Sequence, residues 1–243
     1  MEITEKIYYE DKYKTELDSS VLAIKMLGGG RAIVELARTI FYPDGGGQPS
    51  DQGEITSETG SLKIDSVRWK DGHIFHEGKL TGNITEGQNT KMSIKWGRRF
   101  KNMRVHSAGH LIHDVLMSLK KNLKPLKGNH GEKAFLEYEG ELDQAFKEEL
   151  EKAVNDAVQK NIEIRTWDSS YEEVERLCGT VPNLPKDKQI RMLQIGDYNP
   201  MPDGGVQVKS TVEIGRIVIH HITTENGKST IRYGVAGGVG AEN

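Results

Sequence analysis

The change in apolar periodicity near Trp96 is the feature that most constrains how this 243-residue chain can fold. Before it, short runs rich in β-branched and aromatic residues alternate with turns that contain Gly and Asp, a pattern typical of strands. We place these strands at 31–42, 62–69, 73–77 and 90–96. After it, apolar residues recur with a 3.6-residue period and predict an amphipathic helix over 98–119.

The rest of the chain mixes helical and strand-like segments. A second helix is predicted over 143–161 with Asp143 as its N-cap, and a shorter one starts at Ser169 or Ser170, where Ser170 and Glu173 fit a capping box. Strands are predicted at 133–139, 162–167, 189–195, 215–222 and 229–235. The sequence therefore predicts an α+β fold, with a small antiparallel β-barrel at 1–95 and, at 96–243, helices on one face of a largely antiparallel sheet.

Composition narrows the class of protein. The chain carries 33 Lys and Arg against 36 Asp and Glu, a net charge of −3, and its one cysteine, Cys178, has no partner for an internal disulfide. No apolar run approaches the roughly 18 residues of a membrane span, and the first residues lack the pattern of a signal peptide. We expect a soluble protein of a reducing, cytoplasmic compartment with no membrane partner.

A histidine pair lies on the long predicted helix. His106 and His110 are four residues apart, so both imidazoles point from the same helical face and are able to reach one metal ion. The alternative is a pair of half-buried or surface histidines. Because no Glu follows His106, the pair does not match the HExxH metalloprotease signature.

Two glycine-rich blocks are further candidates. The block at 43–53 contains Gly45, Gly46 and Gly47 and is either a close-approach loop or a flexible hairpin loop, and it does not match a Walker phosphate loop. The block at 199–209 places Asp203 and Gln207 around a Gly-Gly pair, which on its own is more often a polar turn.

Charge is distributed unevenly along the chain. The segment from Lys91 to Lys133 has eleven Lys and Arg and two acids, a net charge of +9, which leaves −12 on the remainder. A solvated helix face is one explanation, and a contact surface for a phosphate backbone is the other. The candidate phosphate contacts are Lys95, Arg98, Arg99, Lys101 and Arg104.

Three blocks in this order resemble a known family. They read Thr-Ile-Phe-Tyr-Pro-Asp-Gly-Gly-Gly-Gln-Pro-Ser-Asp-Gln-Gly at 39–53, Arg-Val-His-Ser-Ala-Gly-His-Leu at 104–111, and Pro-Asp-Gly-Gly at 202–205 followed by Glu-Ile-Gly at 213–215. This order is similar to that of the freestanding alanyl-tRNA editing proteins of the AlaX type and of the editing domain of alanyl-tRNA synthetase. The resemblance covers about residues 30–235.

The resemblance implies an N-terminal β-barrel, a C-terminal α+β editing domain, and hydrolysis in trans of the ester that joins a wrong amino acid, typically serine, to the tRNA for alanine. It also implies a zinc ion, held in the family by the two His of HxxxH and by the Cys and His of a Cys-Gly-Gly-Thr-His block. No individual catalytic side chain is assigned, and a metal-bound water is the expected nucleophile. The substrate-binding candidates that it implies are Thr39, Gly46, Gly47, Gln48 and Asp51.

The last block departs from the family pattern, because Asp203 and Gln207 stand where the family has Cys and His. His106, His110, Asp203 and Gln207 are therefore the metal-ligand candidates, with Asp a competent oxygen ligand and Gln a weaker one. Such a site is harder than the family site, so we expect it to hold zinc less tightly or to accept another divalent ion. Two other functions stay open: a non-catalytic tRNA-binding relative, and a metal-dependent hydrolase of another small ester or amide.

Overall fold

The computed structural model describes residues 3–120, 122–181 and 184–237. The chain forms two compact units. Unit 1 comprises Met1–Gly45 and Pro49–Phe100, and unit 2 comprises Gly46–Gln48 and Lys101–Asn243. Within the described residues, no helix combines the length and the apolar character that crossing a membrane requires.

Unit 1 is built on an antiparallel barrel. Its elements are β1 (Glu5–Lys6), α1 (Ile7–Glu10), β2 (Glu16–Gly28), β3 (Arg31–Leu36), β4 (Arg38–Thr39), β5 (Gly53–Thr56), β6 (Gly60–Lys70), β7 (His73–Gly82) and β8 (Asn89–Ile94). Six of the described strands close the barrel in the order β2-β3-β7-β6-β5-β8. On β3, Ala32, Val34 and Leu36 are buried while the residues between them are partly exposed, so alternate side chains fill the barrel.

Helix α2 (Trp96–Leu119) carries the histidine pair. The elements that follow are β9 (Lys124–Asn129), β10 (Phe135–Glu139), α3 (Phe146–Gln159), β11 (Ile164–Ser169), α4 (Tyr171–Cys178), β12 (Ile190–Ile195), β13 (Met201–Pro202), α5 (Thr211–Ile214), β14 (Arg216–Glu225) and β15 (Lys228–Ala236). The antiparallel strands of unit 2 form two sheets, one in the order β14-β15-β10-β9 and one in the order β11-β12-β13. The predicted α+β class is confirmed.

Helix α3 shows how unit 2 buries an amphipathic helix. Its apolar stripe is buried, and on its partly exposed side Glu151 accepts a hydrogen bond from the backbone of Ile219 at 2.9 Å, while Asn155 accepts one from Ile217 at 2.9 Å. These bonds join the helix to strand β14. The side-chain acceptors replace the partners that an edge strand lacks on its open side.

Several predicted boundaries differ from the structure. The strand predicted over 31–42 ends at Leu36, and residues 40–42 are buried without belonging to a strand. Asp143 precedes α3 by three residues and accepts a hydrogen bond from Ala145 at 2.8 Å, so it stabilises a turn before the helix and is not its N-cap. The cap at Ser170 is confirmed, because its hydroxyl accepts the amide hydrogen of Glu173 at 3.3 Å.

Candidate functional site

The histidine pair and Asp203 converge in unit 2. His106 and His110 lie one helical turn apart on α2, with ring centroids separated by 5.0 Å, and Asp203 comes directly after the short strand β13. The Nε2 atoms of His106 and His110 are 3.1 and 3.4 Å from the same carboxylate oxygen, Oδ1 of Asp203. Three of the four predicted metal-ligand candidates are therefore brought together.

Hydrogen bonding fixes the tautomer of His106. The side-chain oxygen of Gln48 accepts the backbone amide hydrogen of Val206 at 3.2 Å, which identifies this atom as the carbonyl oxygen. The same oxygen lies 2.8 Å from Nδ1 of His106, so Nδ1 carries the proton and donates it. In the neutral ring, Nε2 is then left with a bare lone pair that faces the Asp203 carboxylate.

His110 repeats this arrangement. Its Nδ1 is 3.1 Å from the sulfur of Met201, a weak acceptor. Among the described residues, Nε2 of His110 and Nε2 of His106 are both buried without a hydrogen-bond partner. Two buried imidazole nitrogens that face one carboxylate oxygen repel it unless a cation, either a proton or a metal ion, lies between them.

Asp203 is held as an anion. Burial would raise the pKa of its carboxyl group, but positive charge at the adjacent imidazoles of His106 and His110 outweighs burial and holds that pKa well below its usual value, which agrees with a cation between these three side chains. Its second oxygen, Oδ2, accepts the amide hydrogen of Gly205 at 3.0 Å and an amide hydrogen of Gln207 at 2.7 Å. Oδ1 is thereby directed at the two imidazoles.

Gln207 lies behind this carboxylate. Its amide nitrogen donates to Asp203, and its carbonyl oxygen, predicted as a metal ligand, accepts the hydroxyl hydrogen of Ser107 at 2.7 Å. The Ser107 oxygen in turn accepts the amide hydrogen of Val208 at 3.1 Å. The geometry favours a role for Gln207 in positioning Asp203 over the predicted role as a ligand.

Glycines allow the backbone to approach the site closely. Gly205 lies so near His106 that a Cβ atom added to it would overlap the imidazole ring. Gly46 and Gly47 both adopt positive φ, and a Cβ on Gly46 would lie 3.8 Å from His106 and from Asp203. The predicted substrate-binding residues Gly46, Gly47 and Gln48 are therefore part of this cluster.

A third histidine, His130, was missed by the sequence reasoning. It follows strand β9, and one ring nitrogen from each of His106, His110 and His130 lies within 4.8 Å of the other two. Its ring stacks on that of His106 with centroids 4.2 Å apart and planes inclined by 16°. Burial, followed by the nearby His106 and His110, lowers the pKa of His130 to about 2, so the ring is neutral. A histidine in a Gly- and Lys-rich segment gives no periodic signal by which to find it.

The other two substrate-binding candidates are engaged inside unit 1. Thr39 is fully buried, and its hydroxyl lies 2.8 Å from Nε2 of His76. Asp51 is also buried, and it forms an ion pair with Arg99 and accepts the amide hydrogen of Tyr42 at 2.7 Å. These polar atoms therefore already have partners within the barrel unit, and a substrate-binding role for Thr39 and Asp51 stays a prediction.

The predicted tRNA contacts also separate into two groups. Lys95 and Lys101 are exposed, and Arg98 is partly buried with its Nε donating to the carbonyl oxygen of Ser50 at 3.0 Å. Arg99 and Arg104 are buried. Arg99 donates to Asp51, and Arg104 donates to the carbonyl oxygens of Ile214 and Gly237, so both guanidinium groups have partners inside the protein, and their contact with phosphates stays a prediction.

Cys178 stands apart from the histidine cluster. Its thiol donates to the carbonyl oxygen of Pro200 at 3.2 Å, and burial raises its pKa. The side chain packs against Val174, Ile190 and Met192. Within the described part of the chain, the clustered metal-ligating side chains do not include this cysteine.

Comparison with known proteins gives the family. The family model described as "tRNA synthetases class II (A)" matches residues 2–98. The chain is 35% identical over 221 residues to the alanyl-tRNA editing protein AlaX-L of Pyrococcus horikoshii, which covers 89% of this chain and 54% of that protein. It is 31% identical over 224 residues to the AlaX-M protein of the same organism, covering 88% and 89% of the two chains. It is also 32% identical over 229 residues to the alanine–tRNA ligase of Haloquadratum walsbyi, covering 91% of this chain and 24% of the ligase. The chain thus spans about half the length of the AlaX-L protein and a quarter of the ligase. Because it is also similar to AlaX-M over most of both chains, it belongs to the alanyl-tRNA editing protein family.

Proposed function

We propose that this chain hydrolyses the ester bond of mischarged tRNA in trans, with serine on the tRNA for alanine as the substrate. The observation that carries the proposal is the buried convergence of His106, His110 and Asp203 in a member of this family. The relatives are named for alanyl-tRNA editing, which supports tRNA deacylation in general. The serine substrate and the use of a metal ion are the finer parts of the proposal.

The donor set fits a divalent metal ion. Zinc bonds to nitrogen and oxygen ligands of about 2.0–2.2 Å give an edge of about 3.4 Å between neighbouring ligand atoms of a tetrahedron. The distances of 3.1 and 3.4 Å from the two Nε2 atoms to Asp203 Oδ1 agree with that edge. The two Nε2 atoms, buried and without partners among the described residues, also require a cation between them. When bound, zinc or another divalent ion would supply Lewis-acid polarisation and a water of lowered pKa.

The chain's own residues would orient the aminoacyl ester. Within the described residues, the Nε2 amide group of Gln48 is buried and has no hydrogen-bond partner, although the Gln48 oxygen is fixed by His106 and Val206. A buried donor without an acceptor costs about 1–3 kcal/mol, and a substrate oxygen would satisfy it. We assign this amide to the serine hydroxyl or the ester carbonyl. If it binds the hydroxyl, alanyl-tRNA leaves it unpaired, which favours release of serine over alanine.

Deacylation of defined substrates tests this function. Purified protein supplied with Zn²⁺ is expected to release serine from seryl-tRNA for alanine and to leave alanyl-tRNA largely intact. His106→Ala is expected to abolish release, whereas His113→Gln, a change about two turns further along α2, is expected to retain it. Release no faster than in buffer would refute the hydrolase proposal, and would favour a non-catalytic tRNA-binding relative if tRNA still binds.

The exposed cations near the start of α2 are proposed to bind the tRNA backbone. Lys95 and Lys101 are exposed, and each phosphate neutralised by a lysine contributes about one unit to the slope of log affinity against log salt. Changing both lysines to Ala is expected to lower tRNA affinity at low salt and to reduce that slope by about two. The charge-matched control changes Lys152 and Lys160, two exposed lysines of the α3 region, to Ala. Equal effects of the two double variants would refute a specific contact at Lys95 and Lys101.

A further inference from the structure

His130 is held in one defined tautomer. The Tyr233 hydroxyl has one hydrogen, and it donates this hydrogen to the carbonyl oxygen of Val105 at 3.2 Å. The same hydroxyl oxygen lies 2.6 Å from Nδ1 of His130. With the hydroxyl hydrogen directed at Val105, Nδ1 of His130 is the donor and Nε2 carries the lone pair. In this tautomer His130 offers the same nitrogen, Nε2, as His106.

The fold also makes room for the His130 ring. The His130 amide donates to the carbonyl oxygen of Gly47 at 2.8 Å, which joins the residue to the glycine-rich loop that also carries Gln48. On α2, a Cβ atom added to Gly109 would lie 2.6 Å from Nδ1 and Cε1 of His130, so an alanine there would exclude the ring. His130 is thus fixed from the loop, from the helix and through Tyr233.

We infer that His130 is a direct ligand of the metal ion held by His106, His110 and Asp203, and that it supplies the donor which Gln207 does not. This inference rests on the metal proposed above. One ring nitrogen of each histidine already lies within 4.8 Å of the other two. A tetrahedral edge of about 3.4 Å requires the three ring nitrogens to close by up to about 1.4 Å, and the His130 ring, which stacks on His106, also has to turn toward the ion and toward Asp203, which lies outside that three-histidine cluster. Residues 130–134 connect β9 to β10 outside any helix or strand, so this movement would come from that connection and would have to accommodate the contacts with Gly47 and Tyr233.

The resulting donor set has three imidazole nitrogens and one carboxylate oxygen. It lacks the thiolate of the family pattern, so it favours borderline divalent ions such as Zn²⁺ and Co²⁺. The hydrogen bonds to Gln48 and Tyr233 would be the outer partners that orient two of the imidazoles. Loss of such an outer partner typically lowers metal affinity about 10–100-fold.

Metal binding, measured without tRNA, tests the inference. Zn²⁺ and Co²⁺ affinities are compared for wild type, His106→Ala, His130→Gln, Tyr233→Phe and the control His113→Gln. We expect His130→Gln to weaken binding by more than about 100-fold, Tyr233→Phe to weaken it by about 10–100-fold, and His113→Gln to leave it unchanged. Binding that is lost in His106→Ala but unchanged in His130→Gln would overturn the ligand assignment alone. No binding in wild type would overturn this inference together with the proposed metal.

A second measurement does not depend on the variants folding. In the Co²⁺-loaded wild type, each coordinated imidazole shows one paramagnetically shifted, exchangeable Nδ1 proton in the NMR spectrum. Three such protons are expected if His130 binds the ion, and a count of two would overturn the assignment. Far-UV circular dichroism of each variant establishes whether a lost signal reflects lost metal or a lost fold.

Discussion

The ion pair of Asp51 and Arg99 gives a sharp test of whether these residues are structural or functional. Asp51 has 1% of its side chain exposed and Arg99 has none, and the guanidinium Nε lies 3.0 and 2.9 Å from the two carboxylate oxygens. Arg99 also donates to the carbonyl oxygens of Lys12 and Ile40. Asp51→Asn keeps the shape of the side chain but leaves the guanidinium buried without its anion.

The expected loss is large because a buried charge is left without compensation. Removing one partner of a buried pair typically costs about 3–5 kcal/mol, a substantial part of the roughly 5–15 kcal/mol that stabilises a domain. With a urea m-value of about 2 kcal/mol/M, a loss of about 4 kcal/mol lowers the unfolding midpoint by about 2 M. The double variant Asp51→Leu with Arg99→Leu removes both charges and should lose less than the sum of the single variants.

Tryptophan fluorescence during urea unfolding measures this loss. Trp96 stacks on Phe100 at 5.3 Å, next to Arg99, and the other tryptophans, Trp69 and Trp167, are replaced by Phe to make it the single reporter. A loss below about 0.5 kcal/mol in Asp51→Asn, together with weaker tRNA binding or slower deacylation, would refute the structural account and restore the predicted substrate role.

Three further perturbations test other parts of the structure. Burial lowers the pKa of His76 from 6.5 to about 4, so its neutral form contributes stability that is complete above pH 6.5 and is lost as the pH falls to 4. Between pH 7 and 5 the free energy of unfolding should fall by about 2 kcal/mol. Urea unfolding of His76→Gln should not show this loss. Gly205→Ala should displace the ring of His106 and abolish metal binding while far-UV circular dichroism stays unchanged; retained metal content would contradict the close approach. Ser170→Ala should destabilise α4 by about 0.5–2 kcal/mol, measured as faster hydrogen exchange of its first amides.

Periodic patterns identified most of the fold, and the exceptions have physical causes. Helix α2 was found because its apolar residues repeat every 3.6 residues, although the structure buries most positions from 99 to 116 on every side of the helix. Strand β9 was not predicted, since all of its residues are exposed and it contains Pro125 and Gly128, both poor strand formers. Among the described strands, β9 is the last of its sheet and pairs with β10 alone, so it needs neither alternation nor β-branched residues. Its formation depends on a neighbour that the local sequence does not reveal.

The candidate site shows a similar division between local and long-range information. His106 and His110 were identified because a four-residue spacing on a helix fixes their relation locally. The burial of Arg99 and Arg104 was not predicted, because a run of basic residues suggests an exposed charged face and does not show which of its side chains point inward. Arg99 reaches Asp51 across 48 positions and Arg104 reaches Ile214 across 110 positions of the sequence, distances over which composition carries no signal.

The departures from the family pattern are consistent with one another as a set. A carboxylate at 203 in place of a thiolate has two oxygens, and the one turned away from the imidazoles requires donors, which Gly205 and Gln207 supply at 3.0 and 2.7 Å. A histidine at 207, as in the family pattern, offers the carboxylate no terminal amide group, whereas glutamine does. Once position 207 serves the carboxylate, a fourth donor has to come from elsewhere, and His130 is the imidazole within reach. The same reasoning predicts that Gln207→His alone does not restore the family site, because it removes the amide group that donates to Oδ2 of Asp203 while a carboxylate, and not a thiolate, remains at position 203. Tighter zinc binding in Gln207→His than in wild type would refute this reasoning, because it would show that positions 130, 203 and 207 act independently of one another.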